Sequence, residues 1–466
     1  MIPCRGRLDI GPLDLELGGR LPRVEIAFET WGRLAPGGGN AILVCHALTG
    51  DAHVASHDPE DRPGWWEGAV GPGKPIDTRR WFVLCTNVLG GCYGSTGPAS
   101  PVPPVAGDQH PGRGSGEPTL PDAVQGGGAE SRQGAGPHVP ALPEAARSRG
   151  TAGAVAAPDG AGAGPVPPGS RSRYGSRFPV VTVRDMVRAQ ARLLDALGIG
   201  RLALVVGGSL GGMQALEWAV SEPERVAAAA VLAAPPAASP HAIAWNEAQR
   251  QAIFADPAWR GGDYPPEDPP RRGLAIARML AMTTYRGRGE WQARFGRQAV
   301  EPGDDPVARR LGAYSTAPAG EGERFRFQVE SYLHYQGEKL VRRFDAGSYV
   351  VLTRAMDLHD VGAGRGGLEA AAARVRARVY VLSITSDLLY PVEEQRVLVR
   401  ALRRAGKDVT WHVWRAPWGH DSFLVDPAGV ARRVMSWLEE PARQRRPLRQ
   451  PGRPEPLVPA LGEGRP

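Results

Sequence analysis

Apolar residues in this chain gather into short blocks separated by stretches of helical period. Val24 to Trp31 alternates apolar and polar positions, which predicts a strand with one buried face. Ala41–Cys45, Trp81–Cys85, Leu202–Val206 and Val379–Ile384 are continuous apolar runs, the pattern of strands buried on both faces. Val409–Trp414 predicts a last strand. Helical period follows these runs at Val183–Leu197, Met213–Ala219, Glu393–Ala405 and Gly429–Leu438. Strands alternating with helices predict an α/β fold with a mostly parallel central sheet covered by helices.

Two stretches break the pattern. Residues 101–172 are dominated by Gly, Pro, Ala and Ser and hold almost no large apolar side chains. Such a segment cannot bury enough surface to offset the entropy of ordering, so it is expected to be a disordered insertion. Residues 240–348 carry few strand-like runs and many Arg, Glu, Trp and Tyr, which predicts a helical cap inserted into the sheet domain. The expected organisation is a core formed by 1–100, 173–239 and 349–440, with a basic, Pro-rich tail at 441–466.

Length and composition narrow the class. The 466 residues suit one large α/β domain with insertions or two domains. No apolar run approaches a membrane span, and the N-terminal residues lack the apolar core of a signal peptide, so a cytoplasmic protein is expected. The net charge of +7 comes from scattered arginines and the tail, with no nucleic-acid-binding pattern around it. Nucleic acid is therefore not an expected partner, nor is a membrane. Cys4, Cys45, Cys85 and Cys92 form no C-x-x-C pair, so neither a metal site nor a disulfide framework is indicated. Gly68–Lys74 has the spacing of a phosphate-binding loop, but Pro75 stands where Ser or Thr must reach Mg²⁺, which predicts a surface loop.

The candidate chemistry begins at Gly207-Gly208-Ser209-Leu210-Gly211, between a strand and a helix. G-x-S-x-G in that setting predicts a sharp turn that presents Ser209 as a nucleophile. An ordinary strand–helix turn is the plain alternative. A serine hydroxyl needs a base, and the base an orienting carboxylate. Asp387 follows the strand ending at Ile384, and His420 follows the strand ending at Trp414. Separately they could be a helix cap and a loop histidine. In the order Ser, Asp, His, each behind a strand, they predict a triad at one edge of the sheet. The backbone N–H groups of Leu210 and Leu48 are the expected donors to an oxyanion. Leu48 lies in the turn His46-Ala47-Leu48-Thr49-Gly50.

With these residues in place, the chain resembles the homoserine O-acetyltransferases of the α/β-hydrolase superfamily. The matching phrases are Cys45–Asp51, Asn87–Pro98, Gly207–Ala219, Phe327–Leu333, Leu352–Asp357 and Gly419–Asp421. The resemblance spans nearly the whole chain except 101–172 and the tail. It implies transfer of acetyl from acetyl-CoA to the γ-hydroxyl of L-homoserine through an acetyl-serine, in methionine biosynthesis. It implies no bound cofactor, acetyl-CoA as co-substrate, and a homodimer. It places the substrate carboxylate on Arg278 and the ammonium on Asp421. Leu389, two residues after the aspartate, stands where succinyl-using relatives tend to carry arginine, and an apolar residue there favours acetyl.

The roughly seventy residues between the Gly97–Ser100 and Tyr174–Gly175 phrases depart from the family. They are either a tolerated insertion or a shifted reading frame. The remaining alternatives are a homoserine O-succinyltransferase, a serine esterase or thioesterase, and a non-catalytic binding protein on a hydrolase scaffold.

Overall fold

The computed structural model describes residues 4–103, 172–300 and 327–440. The expected insertion and tail lie outside them, apart from a few flanking residues. Beside two short two-stranded sheets, the described residues build an eight-stranded sheet with helices on both faces. Its strands are β1 (Cys4–Asp9), β2 (Glu25–Trp31), β3 (Ala41–Cys45), β4 (Phe82–Thr86), β5 (Leu204–Gly208), β6 (Ala228–Leu232), β7 (Arg378–Ile384) and β8 (Val409–Trp414). Their order across the sheet is β1-β2-β4-β3-β5-β6-β7-β8. β1–β2 and β2–β4 pair antiparallel; every later pair is parallel.

The side-chain period of two divides the strands between two cores. Ile42, Val44, Leu204, Val206, Ala228 and Ala230 join one apolar cluster. Their neighbours Leu43, Cys45, Val205, Ala229 and Val231 join the other. Both faces are therefore dry, which is why these strands read as unbroken apolar runs.

α1 (Val183–Ala196) and α2 (Leu210–Ser221) precede and follow β5. α1 begins at a capping box, in which the Thr182 hydroxyl accepts from the Asp185 N–H and Asp185 accepts from the Thr182 N–H. Between β6 and β7 lie α3 (Pro240–Phe254), α4 (Arg271–Tyr285), α5 (Arg288–Arg294), α6 (Gln328–Val341), α7 (Ala346–Asp357) and α8 (Leu368–Arg374). α4 packs against both α3 and α6. α9 (Val392–Arg404) joins β7 to β8, and α10 (Ser422–Val425) and α11 (Pro427–Glu439) follow β8.

Three local differences from the sequence reading have physical reasons. β6 lies in the apolar run Val226–Ala234, but the run is mostly alanine, which does not by itself distinguish strand from helix; small side chains fit there because α2 presses on it. A Cβ at Gly212 would lie 2.6 Å from the Ala234 Cβ and 2.9 Å from the Leu232 carbonyl. β5 starts two residues later than expected and runs on through Gly207 and Gly208, since both glycines continue the ladder to β6. The Gly68–Pro75 loop is partly interior: Ala69 and Val70 are buried, and Lys74 Nζ bonds Glu67 Oε1 at 2.7 Å rather than a phosphate.

Candidate active site

Ser209 stands between β5 and α2 with φ 58° and ψ −125°, a region that costs a non-glycine residue about 1–3 kcal/mol. Its neighbours make that turn possible. A Cβ at Gly211 would lie 2.1 Å from the Cys45 carbonyl oxygen, and one at Gly207 would lie 2.4 Å from the Gly211 backbone. Glycine at both positions lets the elbow seat directly on the end of β3. This is the point where the strand order reverses between β3 and β5, the usual site of a ligand crevice.

Seating the elbow on β3 also brings it to the turn that follows Cys45. His46 anchors that turn: its Nδ1–H donates to the Ala47 carbonyl at 2.7 Å, and its Nε2 accepts from the Val88 N–H at 3.1 Å. Both bonds fix the neutral tautomer. Burial pushes the His46 pKa down, which agrees. Arg343, just beyond α6, donates to the Thr49 carbonyl at 2.6 Å and ties the turn to the cap. Leu48 in this turn is buried. Leu210 is the first residue of α2, so its N–H has no acceptor within the helix.

Asp387 and His420 meet directly. His420 Nδ1 lies 2.7 Å from Asp387 Oδ2, while Asp387 Oδ1 accepts from the N–H groups of Leu389 and Tyr390, each at 2.9 Å. Both carboxylate oxygens are thus engaged, which fixes the orientation of the carboxylate. His420 is only 2% exposed. Burial alone would lower its pKa, but the adjacent Asp387 carboxylate outweighs that and holds the imidazole above its ordinary value. Among the described residues, His420 Nε2 is buried and has no hydrogen-bond partner. The ring of Phe423 bridges the two halves of the site. It lies 5.7 Å from the His420 ring, and a Cβ at Gly208 would come within 2.5 Å of it.

The helices between β6 and β7 reach the histidine through α4. Arg278 lies over the Tyr285 ring at 5.3 Å, and that ring lies 5.7 Å from His420. No carboxylate among the described residues pairs with Arg278. Tyr285 escaped the sequence reading. Its signal is the seven-residue step from Arg278, two turns along one helix face. Asp421 is placed beside His420 but is not unpaired. Arg286 Nε lies 3.5 Å from its Oδ2, and Arg286 Nη1 lies 2.9 Å from Glu290 Oε1. Leu389 is buried with Tyr390 in a core cluster. Cys45 and Cys85 are free and buried, and burial raises both thiols, as expected of core residues. A separate cavity of about 380 Å³, lined by Phe178, Val181, Phe254, Trp259 and Val350, holds none of the candidate site residues. None of the described helices is long and apolar enough to cross a membrane.

A family profile for the alpha/beta hydrolase fold matches residues 40–427, and the chain belongs to that class of protein. The chain is 44% identical to a homoserine O-acetyltransferase of Symbiobacterium thermophilum over 92% of each chain. It is 42% identical to one from Clavibacter michiganensis over 94% of each. Within the class it is therefore a member of the homoserine O-acetyltransferase family. A crystal structure of the homoserine O-acetyltransferase from Bacillus anthracis shares the fold, with a TM-score of 0.70 at 24% identity, covering 94% of this chain and 98% of that one.

Proposed function

We propose that this chain transfers an acetyl group from acetyl-CoA to the γ-hydroxyl of L-homoserine, giving O-acetyl-L-homoserine and CoA. Family membership supports the reaction. The observation that carries the mechanism is the Asp387–His420 bond, which leaves Nε2 without a partner among the described residues, together with a serine held in a strained elbow across the Phe423 ring.

In this reading Ser209 Oγ attacks the thioester carbonyl while His420 Nε2 takes its proton. The N–H groups of Leu210 and Leu48 receive the oxyanion. Collapse breaks the C–S bond, His420 returns the proton to the thiolate, and CoA leaves an acetyl-Ser209. The homoserine hydroxyl then gives its proton to His420 and attacks the acetyl carbonyl; collapse breaks the bond from the acetyl carbon to Ser209 Oγ, and the same proton returns to that oxygen. Asp387 holds the ring in the required tautomer and balances the imidazolium. No prosthetic group takes part.

Arg278 binds the substrate carboxylate, because it is a cation one ring away from His420 with no carboxylate partner among the described residues. Asp421 binds the ammonium, in competition with Arg286. Leu389 shapes the acyl side and offers succinate no charge partner. Two copies associate through the cap, which sedimentation of the purified chain tests.

The deciding experiment incubates the protein with acetyl-CoA or succinyl-CoA, each with and without homoserine. Rapid CoA release from acetyl-CoA, accelerated by homoserine, is expected. Release that homoserine leaves unchanged indicates a thioesterase, and a preference for succinyl-CoA indicates the succinyl-transferring relative.

A further inference from the structure

Glu29, His53 and His57 have no part in the chemistry above. Glu29 is on β2; the two histidines lie on the loop that leaves the 46–50 turn. Glu29 Oε2 is 2.8 Å from His53 Nδ1 and 2.8 Å from His57 Nε2. The three ligand atoms all lie within 4.8 Å of one another. His53 is 2% exposed, and its other ring nitrogen, Nε2, is 2.7 Å from the Arg62 carbonyl oxygen.

Both nitrogens of His53 therefore face oxygen acceptors. A neutral imidazole carries one N–H, so it can donate to one of them. With Nε2–H on the Arg62 carbonyl, Nδ1 and Glu29 Oε2 meet lone pair to lone pair. A cation at this junction removes the conflict: a second ring proton, the Arg5 guanidinium that already lies against both atoms, or a metal ion.

We propose that Glu29 Oε2, His53 Nδ1 and His57 Nε2 form a Zn²⁺ site, with water as the fourth ligand. Two histidines and one carboxylate are a ligand set that zinc accepts. At Zn–N and Zn–O lengths of about 2.0–2.2 Å, tetrahedral ligands stand roughly 3.3–3.6 Å apart, so the two close contacts must open by about 0.5–0.8 Å, and the two ring nitrogens, within 4.8 Å of each other, must settle at the same spacing. The His53 Nε2–H bond to Arg62 is the outer hydrogen bond that metal-bound imidazoles make, and it fixes the tautomer with Nδ1 free to ligate. Trp31 stacks on the His57 ring at 4.8 Å with an interplanar angle of 12°, holding its plane.

Arg5 is the competing cation. Its Nε lies 3.3 Å from Glu29 Oε2 and its Nη2 lies 3.5 Å from His53 Nδ1. It also bonds Asp61, and it is half exposed. It can keep Asp61 and withdraw from Glu29 as the metal enters, and binding releases the ring protons that metal replaces. The site would pin the 53–57 loop, and with it the nearby 46–50 turn, to β2.

The test uses the full chain after chelator treatment, titrated with Zn²⁺ by calorimetry and followed by thermal unfolding. One Zn²⁺ per chain is expected, with Tm rising by about 3–5 °C at roughly hundredfold excess over Kd. Glu29→Gln and His57→Gln should each lose both effects. Co²⁺ added to the wild-type chain, which avoids any folding defect of the variants, should give the visible bands of a four-coordinate N/O site. No stoichiometric Zn²⁺ binding, binding kept in both variants, or a thiolate band with Co²⁺ would each overturn the site and leave the proton or Arg5 as the cation.

Discussion

In the proposed mechanism His420 is the base, and its strength is a balance between burial and its acidic neighbours. Asp387 lifts its pKa above the usual imidazole value against the effect of burial. The base works only as neutral imidazole, so rates should fall as pH drops through that raised pKa. The acid limb of kcat/KM for acetyl-CoA is thus expected above 6.5, the ordinary histidine value. In Asp387→Asn the limb should move down and the rate should fall by about 10⁴-fold, since the tautomer is lost as well. A pH profile of each protein checks this; an unmoved limb would detach the titration from His420. Ser209→Ala should give no acetyl-enzyme by intact mass. Arg278→Ala should raise KM for homoserine by about 10–100-fold through loss of a charge-assisted pair. CoA release from acetyl-CoA alone should persist in that variant. Loss of both half-reactions would point to a damaged cap rather than a missing carboxylate partner.

The elements meet along backbone seams that tolerate no side chain. On one seam α2 seats on the end of β3, with Gly211 against the Cys45 carbonyl. On another, the segment after α4 lies against the loop that carries His420. Gly419 has φ 72°, and a Cβ there would sit 2.4 Å from the Gly287 nitrogen; a Cβ at Gly287 would sit 2.4 Å from the Pro417 carbonyl. Backbone, unlike a flexible side chain, has no cheap way to yield. Gly419→Ala should therefore displace His420 and cut kcat for CoA release by at least tenfold, with a Tm loss of a few degrees. Gly289→Ala in α5, where an added Cβ meets nothing within 4 Å, is the control and should leave both unchanged. Equal effects in the two variants would remove the seam as the cause.

Across the molecule, the residues that flank the expected insertion meet at one place. The Val102 N–H bonds the Ser172 carbonyl at 2.8 Å, and Pro101 pairs antiparallel with Arg173. Ends already joined need no long loop to close them. Replacing 104–171 by a four-residue turn should keep the fold and both half-reactions. Shorter closure should favour the folded state by about 2.5 kcal/mol, with a corresponding rise in Tm. A large loss of CoA release in that variant would instead give the insertion a role at the site.

Most of the central sheet was legible in the amino acids because its strands are buried on both faces and read as unbroken apolar runs. The Ser209 elbow was legible because only small residues permit the turn, Asp387 because it follows such a run, and His420 because it follows a β-branched and aromatic stretch that reads as a strand. β6 was not, since an alanine run becomes a strand only when α2 and the second core close over it. Tyr285, Arg286 and the Glu29–His53–His57 cluster were not either. Their meaning lies in what stands opposite: the His420 ring, an acidic neighbour, an imidazole brought back from another loop. Local chemistry follows from side chains and spacing. Pairing across tens or hundreds of residues follows from packing, and it is packing that puts Arg286 on Asp421 and a single carboxylate oxygen between two histidines.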